Sequence, residues 1–115
     1  MVEEKVKGYL GLATKAGKLV TGYNTCLDLI PTGKIKLVIL ATDVGENTKN
    51  KIEGKCKSYG IPFRIGLDAE TMSKACGKED KGVFGLTDKG FSESIIKIIG
   101  EDINKLEIES EREVF

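Results

Sequence analysis

Lys15, Lys18, Lys34 and Lys36 lie on either side of Gly22 and Asn24. These six residues make the first case for chemistry in this chain. A lysine ammonium is a mobile point charge suited to phosphate oxygens. Gly22 precedes a segment that reads as the start of a helix, and a helix start presents unpaired N–H groups and a partial positive charge. Together these form a site for a polyanion. Tyr23 offers a ring on which a base could stack. Asn24 offers an amide edge to a base, or else caps the helix.

Other chemistries fare less well. Gly11-Leu12-Ala13-Thr14-Lys15-Ala16-Gly17-Lys18 is close to a phosphate-binding P-loop, but one residue too many separates the glycines. Leu19 also stands where a hydroxyl must hold magnesium. No dinucleotide fingerprint follows a strand. Asp43, Glu46, Asp80 and Asp88 are explained by turns and helix caps, so no metal is expected. The chain has no histidine, so the commonest general base is missing. Cys26, Cys56 and Cys76 form no CxxC pair and each falls in an apolar pattern. No enzyme activity and no cofactor are expected.

At 115 residues, with 40% hydrophobic and 31% charged positions, the sequence fits one folded domain. The formal net charge is zero, but unevenly spread: residues 1–57 balance at +4, residues 58–100 at zero and residues 101–115 at −4. The expectation is a domain over 1–100 followed by an acidic C-terminal tail over 101–115. No apolar run nears the roughly 20 residues of a membrane span. Met1-Val2-Glu3-Glu4-Lys5 leads into no signal-peptide core, which points to the cytoplasm.

The elements that must position these residues follow from periodicity. Val6, Leu10 and Ala13 set the stripe of an opening helix that ends near Gly17. A short strand over 18–21 leads through Gly22 into a second helix carrying Cys26, Leu27 and Ile30, ended by Pro31 and Gly33. Residues 36–41 are continuously apolar apart from Lys36, as in a strand covered on both faces. A third helix over 46–59 places Ile52, Cys56 and Tyr59 on one side and Lys49, Lys51, Lys55 and Lys57 on the other. A strand from Phe63, a short helix over 69–76, a strand over 83–86 and a helix capped by Asp88, with Phe91, Ile95 and Ile98 or Ile99 inward, complete the order. Alternation of this kind predicts a single-domain three-layer α/β/α sandwich around a small mixed sheet of about four strands.

Several blocks resemble the ribosomal L-seven-Ae type family. Thr21-Gly22-Tyr23-Asn24-Thr25 resembles its G-x-N-E turn, and Leu37 to Asp43 its central strand and acidic exit. Cys56 to Phe63 resembles its helix-end signature, and Lys74 to Lys78 its small-residue helix. Gly11 to Lys18 and Thr87 to Phe91 are most similar to the bacterial YlxQ-like branch. The match runs from about residue 8 to residue 99.

The resemblance implies a protein that binds kink-turn RNA, a bent duplex with tandem sheared G·A pairs, through the N-terminus of its second helix. It implies structured RNA, ribosomal or messenger, as the partner, with ribosome or translation components beside it and no membrane. By this resemblance Gly22 makes the turn and Asn24 reads bases, while Ile65, Gly66, Leu67 and Asp68 form a loop that covers an extruded base. Two positions depart. Thr25 stands where the family has Glu, and a hydroxyl lacks a carboxylate's paired acceptors. Asp28 stands where the family has a phosphate-contacting Lys. These departures keep open an alternative: a protein-interaction adaptor that retains the fold but not kink-turn binding.

Overall fold

The computed structural model describes residues 2–100. The acidic stretch expected over 101–115 lies outside the described residues. Helix α1 (Val2–Lys15) is followed by β1 (Leu19–Thr21), α2 (Tyr23–Leu29) and a 3₁₀ turn (Ile30–Thr32). Then come β2 (Leu37–Leu40), α3 (Glu46–Tyr59), β3 (Phe63–Ile65), α4 (Ala69–Ala75) and β4 (Val83–Leu86). Residues 89–100 are helical and are called α5.

The four strands form one mixed sheet in the order β1-β4-β2-β3. Strand β4 runs antiparallel to both β1 and β2, and β2 runs parallel to β3. Alternate residues of the buried strands feed two separate cores, because successive side chains of a strand point to opposite faces. Leu37, Ile39, Phe84 and Leu86 pack with Val6, Leu10 and Ala13 of α1, Met72 of α4, and Ile95 and Ile99 of α5. Val38, Leu40 and Val83 pack with Cys26 of α2, Ile30, and Ile52 and Cys56 of α3. The expected three-layer α/β/α sandwich with a small mixed sheet is therefore the observed architecture.

Helix α2 ends at Leu29, ahead of Pro31, and the chain passes through a 3₁₀ turn that carries Pro31 and stops at Gly33, so both residues close this segment as expected. One local expectation needs correcting. Tyr59 does not join the core but stands 50% exposed, with the Lys55 ammonium 5.8 Å from its ring centroid. Helix α3 closes as the N–H of Ile61 donates to the Cys56 carbonyl at 2.9 Å and Gly60 turns the chain. The residue after the turn thus meets the last helical turn, and Ile61 rather than Tyr59 packs against Cys56 and its neighbours.

Gly85 sets how closely α2 approaches the sheet. A Cβ there would lie 3.0 Å from both Ile35 Cδ1 and Val20 Cγ2, and 3.4 Å from Cys26 Sγ. The bare backbone lets the Cys26 side of α2 sit down on β4, which fixes the height of the helix whose first turn carries Asn24.

Candidate nucleic-acid interface

The sheet has two ends, and they differ in chemistry. At the Val83 end, β1 passes directly into α2. The Gly22 N–H donates to the Val83 carbonyl at 2.9 Å, and the Gly22 carbonyl accepts from the Cys26 N–H at 3.1 Å. Held from both sides, Gly22 takes φ 104° and ψ 148°. Only glycine enters that region readily.

Gly22 is the N-cap residue and has no side chain to cap the helix. Among the described residues no group accepts from the N–H of Tyr23, Asn24 or Thr25, so the donors of the first turn are open. Asn24 and Thr25 are exposed. Asn24 does not cap α2, so its amide is unspent. Tyr23 is half-buried and packs against the α2–α3 core, which leaves only part of its ring for stacking. Asp28 is exposed one turn further on.

The loop from Ile65 to Asp68 lies at the same end. The Gly66 N–H donates to the Leu40 carbonyl, and the Thr42 N–H to the Leu67 carbonyl. Because β1 and β3 are opposite edges of a four-stranded sheet, this loop stands about 14 Å across from the first turn of α2. Ile65 packs toward the α2–α3 core and Leu67 toward the other. Gly66 lies so close to the core that a Cβ would fall 2.7 Å from Ile39 Cγ2 and 2.9 Å from the Met72 sulfur. Asp68 caps α4: its carboxylate accepts from the Thr71 N–H at 3.0 Å and from the Thr71 hydroxyl at 2.7 Å. Those bonds hold its carboxyl below the usual 3.8.

The lysines are elsewhere. Leu19 and Leu37 both pair with Leu86, so Lys18 and Lys36 flank Thr87 at the other end of the sheet. The Thr87 N–H donates to the Lys18 carbonyl at 2.9 Å and the Lys36 N–H to the Leu86 carbonyl at 2.7 Å. Lys15 ends α1, three residues before Lys18, and Lys34 follows the 3₁₀ turn. The expectation that Lys15, Lys18, Lys34 and Lys36 surround the turn at Gly22 is not met. Strand β1 carries the chain from Lys18 across the sheet, a step of about 13 Å, and α2 with the 3₁₀ turn brings it back to Lys34.

Sequence reasoning missed the segment that stands beside the α2 start. Asp80, Lys81 and Gly82 join Gly22, Tyr23, Val44, Gly45 and Thr48 around a shallow hollow of ≈ 280 Å³. A usable signal was present in the polar Lys78-Glu79-Asp80-Lys81-Gly82 run before a buried strand. A neighbouring hollow of ≈ 370 Å³ is lined by Asp43, Glu70, Lys74, Lys78, Glu79 and Asp80, among others. The Val83 end thus carries both signs of charge. Among the described residues no three His, Cys, Asp or Glu side chains gather so as to hold a metal ion. The thiols are not poised for reaction either: burial pushes Cys26 up to about 12 and Cys56 up to about 11. No described helix is long and apolar enough to cross a membrane.

Comparison with known proteins places this arrangement. Residues 4–96 match the model of the Ribosomal protein L7Ae/L30e/S12e/Gadd45 family. The chain is 38% identical over 97 residues to RNA-binding protein YlxQ of Enterococcus faecium, covering 84% of this chain and 92% of the relative. It is 33% identical over 90 residues to RNA-binding protein YlxQ of Bacillus subtilis (strain 168), covering 78% and 90%. Among solved structures it is similar to a protein with unknown function from Bacillus halodurans C. The TM-score is 0.79 at 36% identity, over 82% of this chain and 95% of that one.

Proposed function

We propose that this chain, which belongs to the ribosomal protein L7Ae/L30e/S12e/Gadd45 family, is a non-enzymatic RNA-binding protein that recognises a bent or otherwise irregular RNA with the first turn of α2. The observation that carries this reading is the free end of that helix. Its backbone donors are unpartnered, the Asn24 amide is exposed and unspent, and Gly22 is locked against β4. Such an end can accept phosphate or base-edge oxygens without first breaking a bond of its own. The names of the YlxQ relatives support RNA as the ligand class.

The finer reading is kink-turn recognition by a cytoplasmic, ribosome-associated protein. Asn24 reads exposed base edges, Thr25 and Tyr23 border them, and the Ile65 to Asp68 loop meets the RNA on the far side of the same sheet end. Irregular RNA suits this geometry, because its unstacked bases expose edges that a regular A-form duplex hides. Because charge at this end is mixed, discrimination by hydrogen bonding and shape outweighs bulk attraction there.

Binding of the full-length protein to a kink-turned RNA and to a straight RNA of equal length, at two salt concentrations, tests the proposal. The kinked RNA is expected to bind more tightly. Asn24→Ala should weaken it by roughly 5- to 150-fold, the worth of one bidentate base contact of about 1–3 kcal/mol. Equal affinity for both RNAs, untouched by Asn24→Ala, would overturn it. Thr25 and Asp28 favour a second reading, a protein-interaction adaptor on the same fold. Its partner would be a protein whose binding responds little to salt, whereas RNA binding weakens steeply.

A further inference from the structure

We infer that the end of the sheet opposite α2 is a second, independent RNA-contacting surface, formed by Lys15, Lys18, Lys34 and Lys36 and fitted to the phosphate backbone of regular duplex RNA. The inference goes beyond the α2 site and takes from that reading only the choice of polyanion.

The register assembles this surface. Lys18 and Lys36 occupy equivalent positions on the two strands flanking β4, both opposite Thr87. Two strand spacings put their backbones about 10 Å apart. The Lys18 N–H donates to the Ala13 carbonyl at 2.8 Å, which ties Lys18 to the last turn of α1, where Lys15 stands. The Lys36 ammonium donates to the Gly33 carbonyl at 2.8 Å, which holds it beside Lys34 at the close of the 3₁₀ turn. All four side chains are exposed. Among the described residues the ion pairs are Lys7–Glu4, Lys74–Glu70 and Lys89–Glu93, and none involves these four. Asp88 stands at this end too, and one of its oxygens accepts from the Phe91 N–H at 2.9 Å to cap α5.

The partner's chemistry follows from what the surface contains and lacks. It has four exposed cations, placed at the ends of β1 and β2, at the end of α1 and after the 3₁₀ turn. Leu12, one turn before Lys15 on α1, and Tyr59, the last residue of α3, are the exposed large hydrophobic residues among those described, single side chains on separate elements rather than a clustered anchor. A protein partner needs a buried aromatic or aliphatic anchor at the centre of its interface. A phosphate backbone needs only cations and repays them by releasing counterions. The surface therefore grips duplex without reading sequence, while α2 reads an irregular element from the other end.

The test is a titration of the full-length chain with a labelled, unkinked 20-base-pair RNA duplex between 50 and 200 mM salt. Four phosphate contacts predict a log–log slope near −3.6, so wild-type affinity should fall about 150-fold over that range. Changing Lys15, Lys18, Lys34 and Lys36 together to Gln should cut duplex affinity at 50 mM salt at least tenfold and flatten the slope. A charge-matched control, Lys5, Lys7, Lys51 and Lys97 to Gln, alters lysines of early α1, of α3 and of α5 instead. It should stay within threefold of wild type. The inference is overturned by an equal loss in both quadruple variants, by no loss in the first, or by a polyglutamate peptide of equal charge binding more tightly than the duplex. Failure of the α2 reading registers separately, on the kinked RNA with Asn24→Ala.

Discussion

Replacing Gly22 by alanine should damage stability and RNA binding together, and the structure gives the size of the effect. A Cβ at position 22 would meet only Thr25 Oγ1, at 3.9 Å, so the substitution creates no clash. The cost is conformational: φ 104° and ψ 148° is ground that an L-residue occupies at a cost of about 1–3 kcal/mol. The chain cannot relax cheaply, because the residue is bonded to Val83 on one side and Cys26 on the other. Losing either bond costs about 1 kcal/mol. Alanine also restricts the unfolded chain, which returns about 0.4–1 kcal/mol. The net destabilisation is then up to about 2.6 kcal/mol, with a midpoint of about 1.3 kcal/mol, or roughly 5–10 °C in Tm at that midpoint for a domain of this size. Urea unfolding followed by far-UV circular dichroism measures the first quantity. Anisotropy with kinked RNA measures the second, where a loss beyond tenfold is expected because the first turn of α2 no longer stands where β4 holds it. An unchanged unfolding midpoint together with unchanged RNA affinity would refute the claim that this backbone conformation builds the site.

Four further outcomes follow from the same geometry. Thr25→Glu with Asp28→Lys, both at exposed positions, should tighten kinked-RNA binding at least tenfold by adding a paired acceptor and replacing an acid with a cation; flat affinity in a binding titration would show that RNA does not meet α2 there. Gly54→Ala, at an exposed position in the middle of α3 with nothing within 4 Å of the new Cβ, should raise stability by about 0.5–1 kcal/mol in urea melts, and a loss would contradict the open space described. Because the Asp68 carboxyl is held below 3.8 by Thr71, the native state binds fewer protons than the unfolded one, so its contribution is complete above about pH 4 and fades as pH falls through the lowered native value; the stability gap between wild type and Asp68→Asn should shrink from pH 5 to pH 2.5, and a pH-independent gap would oppose this. With Cys26 near 12 and Cys56 near 11, thiolate at pH 8 is about one part in a thousand or less, so both should resist iodoacetamide in native protein and react at once in 6 M guanidinium, as mass spectrometry would show.

The layers of this fold were legible because burial leaves a local trace. The apolar run at β2 could belong only to a strand covered twice, and Val6, Leu10 and Ala13 repeat at the helical period and are all buried. Asp88 was legible as a cap, since it accepts from the Phe91 N–H three residues on. Periodicity misjudged Tyr59 because the stripe was carried to the last residue of the helix, where Gly60 turns the chain and Ile61 takes the place against the core. Pro31 and Gly33 were legible as the close of the α2 segment, which leaves the α-helix at Leu29 and stops at Gly33.

The lysines show what a pattern along the chain cannot supply. Lys15 and Lys18 are near Gly22 in sequence and far from it in space, because a three-residue strand is enough to cross from one end of the sheet to the other. Lys36 is far from Lys18 in sequence and close in space, because the Thr87 N–H donates to the Lys18 carbonyl and the Lys36 N–H to the Leu86 carbonyl, bonds that no periodicity announces. This separation has a functional consequence. Cations gathered round Asn24 would raise affinity for every RNA and blur the hydrogen-bond differences by which one is chosen. Under the function proposed above, charges at the far end of the sheet would strengthen attachment by an amount set by salt, while the choice of target would rest on the geometry of Gly22 and the amide beside it.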